Sequence, residues 1–200
     1  MRLKLVVGLG NPGDQYRETR HNAGADFVGA LAHRYGVSLL AESRFFGLCG
    51  RIQAEGMDLR LLVPTTFMNR SGAAVVAMTN FFKIDPPEIL VAHDELDFEA
   101  GVARLKDGGG HGGHNGLRDI SRAIGDDYRR LRLGIGHPGV GRNVSSYVLG
   151  KPSAEERTLI DDSIEAASRV MPRLAAGDWA QAVQQLHTAT RTSEENQDGN

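Results

Sequence analysis

The sequence predicts an α/β fold: one domain in which a twisted mixed, largely parallel sheet is flanked by helices. Short apolar runs that read as strands alternate with segments whose apolar residues recur at helical spacing. The polar, glycine-bearing motifs mostly fall where an apolar run ends, which is where open α/β sheets bind ligands. The 200 residues suit one domain with a sizeable core, and no internal repeat or linker divides them.

The elements follow in chain order. Residues 3–9 are a short apolar run ended by Gly-Leu-Gly-Asn-Pro-Gly, a buried strand. Residues 22–35 are a helix, with Phe27, Val28, Leu31 and Ala32 on one face and Gly36 as its stop. Residues 46–54 and 59–63 make a strand pair across a turn at 55–58. Residues 71–82 repeat Ala74, Val75, Met78, Phe81 and Phe82 at helical spacing, with Ser71 as candidate cap. Strands are predicted at 88–92, after Pro86-Pro87, and at 102–106. A glycine-rich loop at 108–113 leads into a helix at 117–124. The alternation of Leu131, Leu133 and Ile135 marks a strand over 128–135. Ser153 with Glu156 three residues on reads as a capping box, opening a helix that runs to about Val170. A short helix over 179–186 precedes a polar segment, 189–200, that lacks an apolar face and is expected to be a disordered tail.

Composition narrows the function classes. A hydrophobic fraction of 40% and a charged fraction of 24% are those of a soluble globular protein. The single cysteine, Cys49, allows no intrachain disulfide and suits a reducing compartment. The N-terminus lacks a signal-peptide pattern, and no apolar run approaches the ~20 residues of a membrane helix. A cytoplasmic protein is expected. The net charge of −2 argues against nucleic acid, but residues 101–151 hold nine Lys/Arg against four acids. Such a local basic face could bind phosphates; it reads equally well as a solvated helix surface.

Five polar blocks could carry chemistry. Gly8-Leu9-Gly10-Asn11-Pro12-Gly13 matches a dinucleotide-binding loop in form only. Pro12 removes a donor, no helix opens directly after it, and the acid expected at the end of a second strand falls in a helix. His21 stands at a helix start, where the positive helix end can lower its pKa and keep it neutral, as a general base must be; alone, it reads also as a cap residue. The strand ending Ala92-His93-Asp94-Glu95-Leu96-Asp97 offers Asp94 as a partner that could fix the His21 tautomer. His93, Asp94 and Asp97 are alternative metal ligands, although no zinc-type spacing is present. Met68 and Asn69 lie at a strand-to-helix junction, where an amide can hold a main chain or polarise a carbonyl, or simply cap. His114 and Asn115 end the loop of clustered glycines, which could approach a ligand closely or act as a hinge. No G-x-S-x-G elbow is present, so an activated water fits better than a covalent intermediate.

Taken in order, GLGNPG, TRHNAG, PTTFMNRSG, ILVAHDELD, GGGHGGHNGLRDI and RLRLGIGHPG resemble the bacterial peptidyl-tRNA hydrolases, from Lys4 to about Leu186, nearly the whole chain ahead of the expected tail. The resemblance implies a monomeric enzyme, catalytic over residues 1–188, that frees tRNA from peptides dropped by the ribosome. It implies no metal and no organic cofactor. On the matching positions His21 would be the general base and Asp94 its orienting partner. Asn11, Tyr16, Met68, Asn69, His114 and Asn115 would contact the substrate, the asparagines fixing peptide main chain and water. Arg104, Lys106 and Arg132 would bind tRNA phosphate, and residues 138–153 would form part of a mobile lid. Family members often carry lysine where this chain has Arg104, so charge is kept while contact geometry changes.

Overall fold

A computed structural model describes the backbone of residues 1–195 and side chains through residue 190. Seven strands form one sheet: β1 (Leu5–Gly8), β2 (Leu40–Glu42), β3 (Gly47–Ala54), β4 (Met57–Pro64), β5 (Ile89–Glu95), β6 (Ala103–Asp107) and β7 (Arg129–Gly134), in the order β2-β3-β4-β1-β5-β7-β6. The central strands β4, β1, β5 and β7 are parallel, while β2, β3 and β6 pair antiparallel at the edges. The sheet is therefore mixed with a parallel centre, as the alternation of runs predicts.

Period-two alternation divides the core between the two faces. Leu5, Val7 and Leu9 pack with Ile89 and Val91 under α2 (Ser71–Phe82) and α3 (Asn115–Ile124). Val6, Leu90, Ala92, Leu131 and Leu133 face the opposite layer. That layer holds α1 (Ala23–Arg34), α5 (Ala154–Arg169), α6 (Met171–Ala176) and α7 (Trp179–Glu195). The short α4 (Val144–Val148) sits after β7.

Local chemistry explains the boundaries. Glu55 (φ 52) and Gly56 (φ 75) are both left-handed, the geometry that a two-residue hairpin between β3 and β4 needs. The Ser153–Glu156 capping box opens α5 as expected. Ser71 does not cap α2: its hydroxyl donates to Met68 O at 2.7 Å, and it is fully buried. Phe81, expected on the apolar face, is 54% exposed, its ring set edge-on to Phe45 and Phe82 with the Arg44 guanidinium over it. β5 runs on to Glu95, since pairing with β7 continues through Asp94 and Glu95. The helix starting at Trp179 is not short. It reaches Glu195, so residues 189–195 of the expected tail are helical, and residues 196–200 lie outside the described residues. Thr190, 2% exposed, explains part of the extension by donating to Ala103 O on β6.

One close approach positions the site. A Cβ on Gly24 would stand 2.1 Å from Ala92 O, and one on Gly8 2.3 Å from Gly24 O. Glycine at both places lets the first turn of α1 lie directly on β1 and β5. Leu9 N donates to Ala92 O at 3.0 Å, and Ala25 N to Leu9 O at 2.9 Å, which tie the three segments together.

Candidate active site

Where β1 ends opposite Ala92 and β5 runs on to Glu95, chain leaving the sheet makes a cleft of about 690 Å³. His21 lies in a 3₁₀ turn (Arg20–Asn22) just before α1, and Asp94 near the end of β5. They are 73 residues apart, yet His21 Nδ1 donates to Asp94 Oδ1 at 2.9 Å and lies 3.0 Å from Oδ2. Their side chains are 12% and 2% exposed. A carboxylate only accepts, so Nδ1 carries the hydrogen and Nε2 keeps a lone pair for the cleft that His21 lines.

His114 joins the same carboxylate. Its Nε2 lies 2.9 Å from Asp94 Oδ1, and its Nδ1 accepts from Leu117 N at 3.3 Å as the cap of α3. An accepting Nδ1 requires the neutral tautomer with hydrogen on Nε2, so Asp94 receives N–H bonds from two imidazoles. The resemblance implies a substrate contact at His114; the structure makes it also a second partner of Asp94. His93 forms the wall behind: it is 3% exposed, its Nδ1 donates to Asp94 O at 2.8 Å, and its ring meets His114 edge-on at 5.1 Å.

Burial and neighbours set the charges. For Asp94, burial alone would raise the pKa, but the imidazoles of His114 and His21 outweigh it and hold the carboxyl well below the usual carboxylate range. For His21, burial pushes down, yet the Asp94 charge and hydrogen bond push up by more, so the pKa stands above the ordinary 6.5. This corrects the expectation of a lowered value: a carboxylate at 2.9 Å outweighs the diffuse positive end of a helix. His93 is pushed down to about 3, by burial first and then by His114, and is neutral.

The amide-bearing residues surround this group. Asn11 Oδ1 accepts from Met68 N at 2.8 Å, and Asn22 bridges the Asn11 backbone, accepting from its N at 2.8 Å and donating to its O at 3.0 Å. Since Oδ1 is engaged, the Asn11 amide N–H₂ is the end left for a ligand. Met68, Asn69, His114 and Asn115 also line the cleft. Tyr16 does not: it ends a separate 3₁₀ turn (Asp14–Tyr16) whose carbonyl holds Thr19.

The three expected phosphate contacts differ. Lys106 lines the cleft and, among the described residues, forms no ion pair; the neighbouring Asp107 faces Arg129. Arg132 lines it too, but its Nε donates to Glu95 at 2.8 Å and its guanidinium stacks on Phe98. Arg104 lies outside the lining and donates to Ala103 O and Thr190 Oγ1, an anchor to α7 that no sequence motif revealed. The segment expected as a lid contributes Val144, Ser145, Val148 and Leu149 to the cleft. Arg20, beside His21, donates to that segment at Tyr147 O, 3.3 Å away, and to Glu156 on α5 at 2.9 Å.

The donor set for a cation is not the one expected. Asp97 is 78% exposed and turned to Arg132, and His93 Nδ1 is spent on Asp94 O. The atoms of His21, Asp94 and His114 do gather within 4.8 Å. They face one another at hydrogen-bond distance, and a cation there would displace both N–H bonds to Asp94. That donor set fits a hydrogen-bonded triad better than a metal centre.

Comparison with known proteins agrees in sequence and in shape. Residues 5–196 match the family model described as peptidyl-tRNA hydrolase. A peptidyl-tRNA hydrolase of Pseudomonas paraeruginosa is 58% identical over 188 residues, covering 93% of this chain and 97% of that one. One from Teredinibacter turnerae is 57% identical over 189 residues, covering 94% and 98%. The crystal structure of peptidyl-tRNA hydrolase from Acinetobacter baumannii superposes with a TM-score of 0.90 at 52% identity, covering 92% of this chain and 94% of that one.

Proposed function

This chain belongs to the peptidyl-tRNA hydrolase family, and on that premise we propose that His21 and Asp94 carry the hydrolysis of the ester between peptide and tRNA. The observation that carries this reading is the 2.9 Å bond from His21 Nδ1 to Asp94, which leaves Nε2 as a lone-pair base. His21 Nε2 takes a proton from water, and the resulting hydroxide attacks the ester carbonyl. The imidazolium so formed is stabilised by the Asp94 carboxylate and returns the proton to the departing ribose oxygen. The Asn11 amide, with Asn69 and Asn115, holds the peptide main chain and the water. Main-chain recognition accounts for indifference to peptide sequence and for preference over an aminoacyl-tRNA, which lacks the second amide.

The ester is already reactive, so little machinery suffices. A positioned base supplies roughly 10²–10⁴-fold, and one carbonyl-polarising donor roughly 10²–10³-fold. Lys106 and Arg132 grip phosphate at the cleft; Arg104 supports that strand from its bond to Thr190. Residues 138–153 act as the lid. The enzyme works as a monomer in the cytoplasm, needs no metal or organic cofactor, and is catalytic over a domain that includes α7. No described helix is long and apolar enough to cross a membrane.

The test is hydrolysis of N-acetyl-aminoacyl-tRNA by the purified protein, with and without chelator, beside His21→Ala. Turnover insensitive to chelator and lost in His21→Ala is expected, with tRNA affinity retained. Undiminished turnover by His21→Ala refutes the base assignment.

A further inference from the structure

Arg130 is a buried cation that the reaction as described does not use. It sits on β7 with its side chain only 3% exposed. Its nearest carboxylate, Asp126, is 4.0 Å away and 58% exposed, so the charge is only weakly compensated. Burying such a charge costs several kcal/mol unless good hydrogen bonds offset it. The offsetting bonds are specific: Nη1 donates to Gly110 O and Nη2 to Gly109 O. One planar fork thus spans two successive carbonyls, a geometry available to arginine and not to lysine.

Those carbonyls belong to the glycine-rich loop. Gly108 (φ 59), Gly109 (φ 100), Gly112 (φ 57) and Gly113 (φ 84) are all left-handed, and glycine backbone loses the most freedom on ordering. The loop lines the cleft from Gly110 to Gly113 and ends at His114, which caps α3 and donates to Asp94. It therefore has two anchors, Arg130 at its start and the His114–Asp94 bond at its end. A second link runs through His93, whose ring packs on His114 and whose pKa Arg130 helps to lower, after burial and His114. A neutral His93 keeps its single Nδ1–H on Asp94 O.

We propose that Arg130 is a positioning residue for hydrolysis: by clamping Gly109 and Gly110 it holds the glycine-rich loop so that His114 stays on Asp94 and Asn115 faces the substrate. This rests on the reading of His21 and Asp94 as the catalytic couple. Arg130 touches no reacting atom and acts through the loop. Without the clamp, His114 leaves Asp94 Oδ1, and His21 becomes the only imidazole on that carboxylate.

The experiment compares Arg130→Lys, Arg130→Ala, His114→Ala and the double variant Arg130→Lys/His114→Ala on N-acetyl-aminoacyl-tRNA. Arg130→Lys keeps charge and bulk, so it decides the matter even if Arg130→Ala does not fold. The expected result is a fall in kcat of about tenfold or more, as misplacement of a catalytic group produces, with KM little changed. The double variant should be no slower than His114→Ala, and Arg130→Lys should shift the pH midpoint of kcat/KM in the same direction as His114→Ala. Parental kcat in Arg130→Lys, or losses that multiply in the double variant, would overturn the proposal. A raised, salt-sensitive KM with unchanged kcat would overturn it too, making Arg130 a phosphate contact. His21→Ala in the same series tests the catalytic couple independently, since its outcome does not depend on the loop.

Discussion

Gly24→Ala is the perturbation that tests how the catalytic couple is assembled. The added Cβ would lie 2.1 Å from Ala92 O and 2.7 Å from Leu9 N, where real Cβ contacts stay above 3.0 Å. Both neighbours are backbone, Ala92 within β5 and Leu9 just past the end of β1 and bonded to it, and neither has room to give way, so the start of α1 must retreat by about 0.9 Å. Carried to His21, in the turn just before, that shift stretches the 2.9 Å bond to Asp94 toward about 3.8 Å, past the hydrogen-bond limit. A misplacement of about 1 Å costs roughly 10²-fold in rate, or about 2.7 kcal/mol of transition-state stabilisation. Overpacking adds a stability loss of about 1–3 kcal/mol. The assay is single-turnover hydrolysis of N-acetyl-aminoacyl-tRNA at a temperature where circular dichroism shows the variant folded. Gly29→Ala is the control: it lies in the same helix, its Cβ would meet nothing within 4 Å, and alanine should raise helix stability by about 0.5–1 kcal/mol. A folded Gly24→Ala enzyme with the parent single-turnover rate would refute the claim that this contact sets the His21–Asp94 geometry.

The remaining predictions concern charge. Because Asp94 raises His21 above 6.5 and the base must be neutral, kcat/KM should fall as pH drops through a midpoint above that value. Asp94→Asn removes both raising influences and leaves burial, so its midpoint should move below 6.5 while the rate falls severely; a pH profile with an unmoved midpoint would exclude Asp94 as the partner. Lys106→Ala should raise KM and flatten its salt dependence more than Arg132→Ala does, since Arg132 is already paired with Glu95. Glu95→Gln releases Arg132 and should lower KM at low salt, and KM measured across a salt series for the three variants checks both statements.

What could be read in the sequence is what local chemistry determines. The β3–β4 hairpin announces itself through Gly56, α5 through its capping box, and α1 through an apolar stripe that ends at Gly36. The elements that escape reading lack such signals. β2 is an exposed edge strand with no buried residue, so no alternation marks it. α4 buries only Val148, and α6 begins with a proline in its first turn that reads as a breaker. The end of α7 is held by polar anchors: Thr190 reaches Ala103 O, and His187 Nε2 accepts from Leu105 N at 3.0 Å. A hydrophobic pattern cannot register such contacts.

The site divides along the same line. The identities of His21, Asp94, Asn11 and His114 stand out as polar residues at strand and helix ends, but the distances among them depend on atoms that are missing. Gly24 admits β5 to α1. Gly116 admits α3 to the chain leaving β1, since a Cβ there would lie 2.6 Å from Met68 Sδ and 2.9 Å from Leu9 Cδ1. The first approach brings His21 to Asp94; the second brings His114 to the same carboxylate and seats Met68 beside Asn11. Each of the two histidines on Asp94 thus has a glycine two or three positions away that lets it arrive: Gly24 for His21 and Gly116 for His114. A glycine judged by its φ alone would be misread at both places, because neither has a positive φ; what matters there is the room it leaves for a neighbouring backbone or side chain. The chemistry of this cleft is therefore specified twice, once by the groups that react and once by the absent side chains that let them meet.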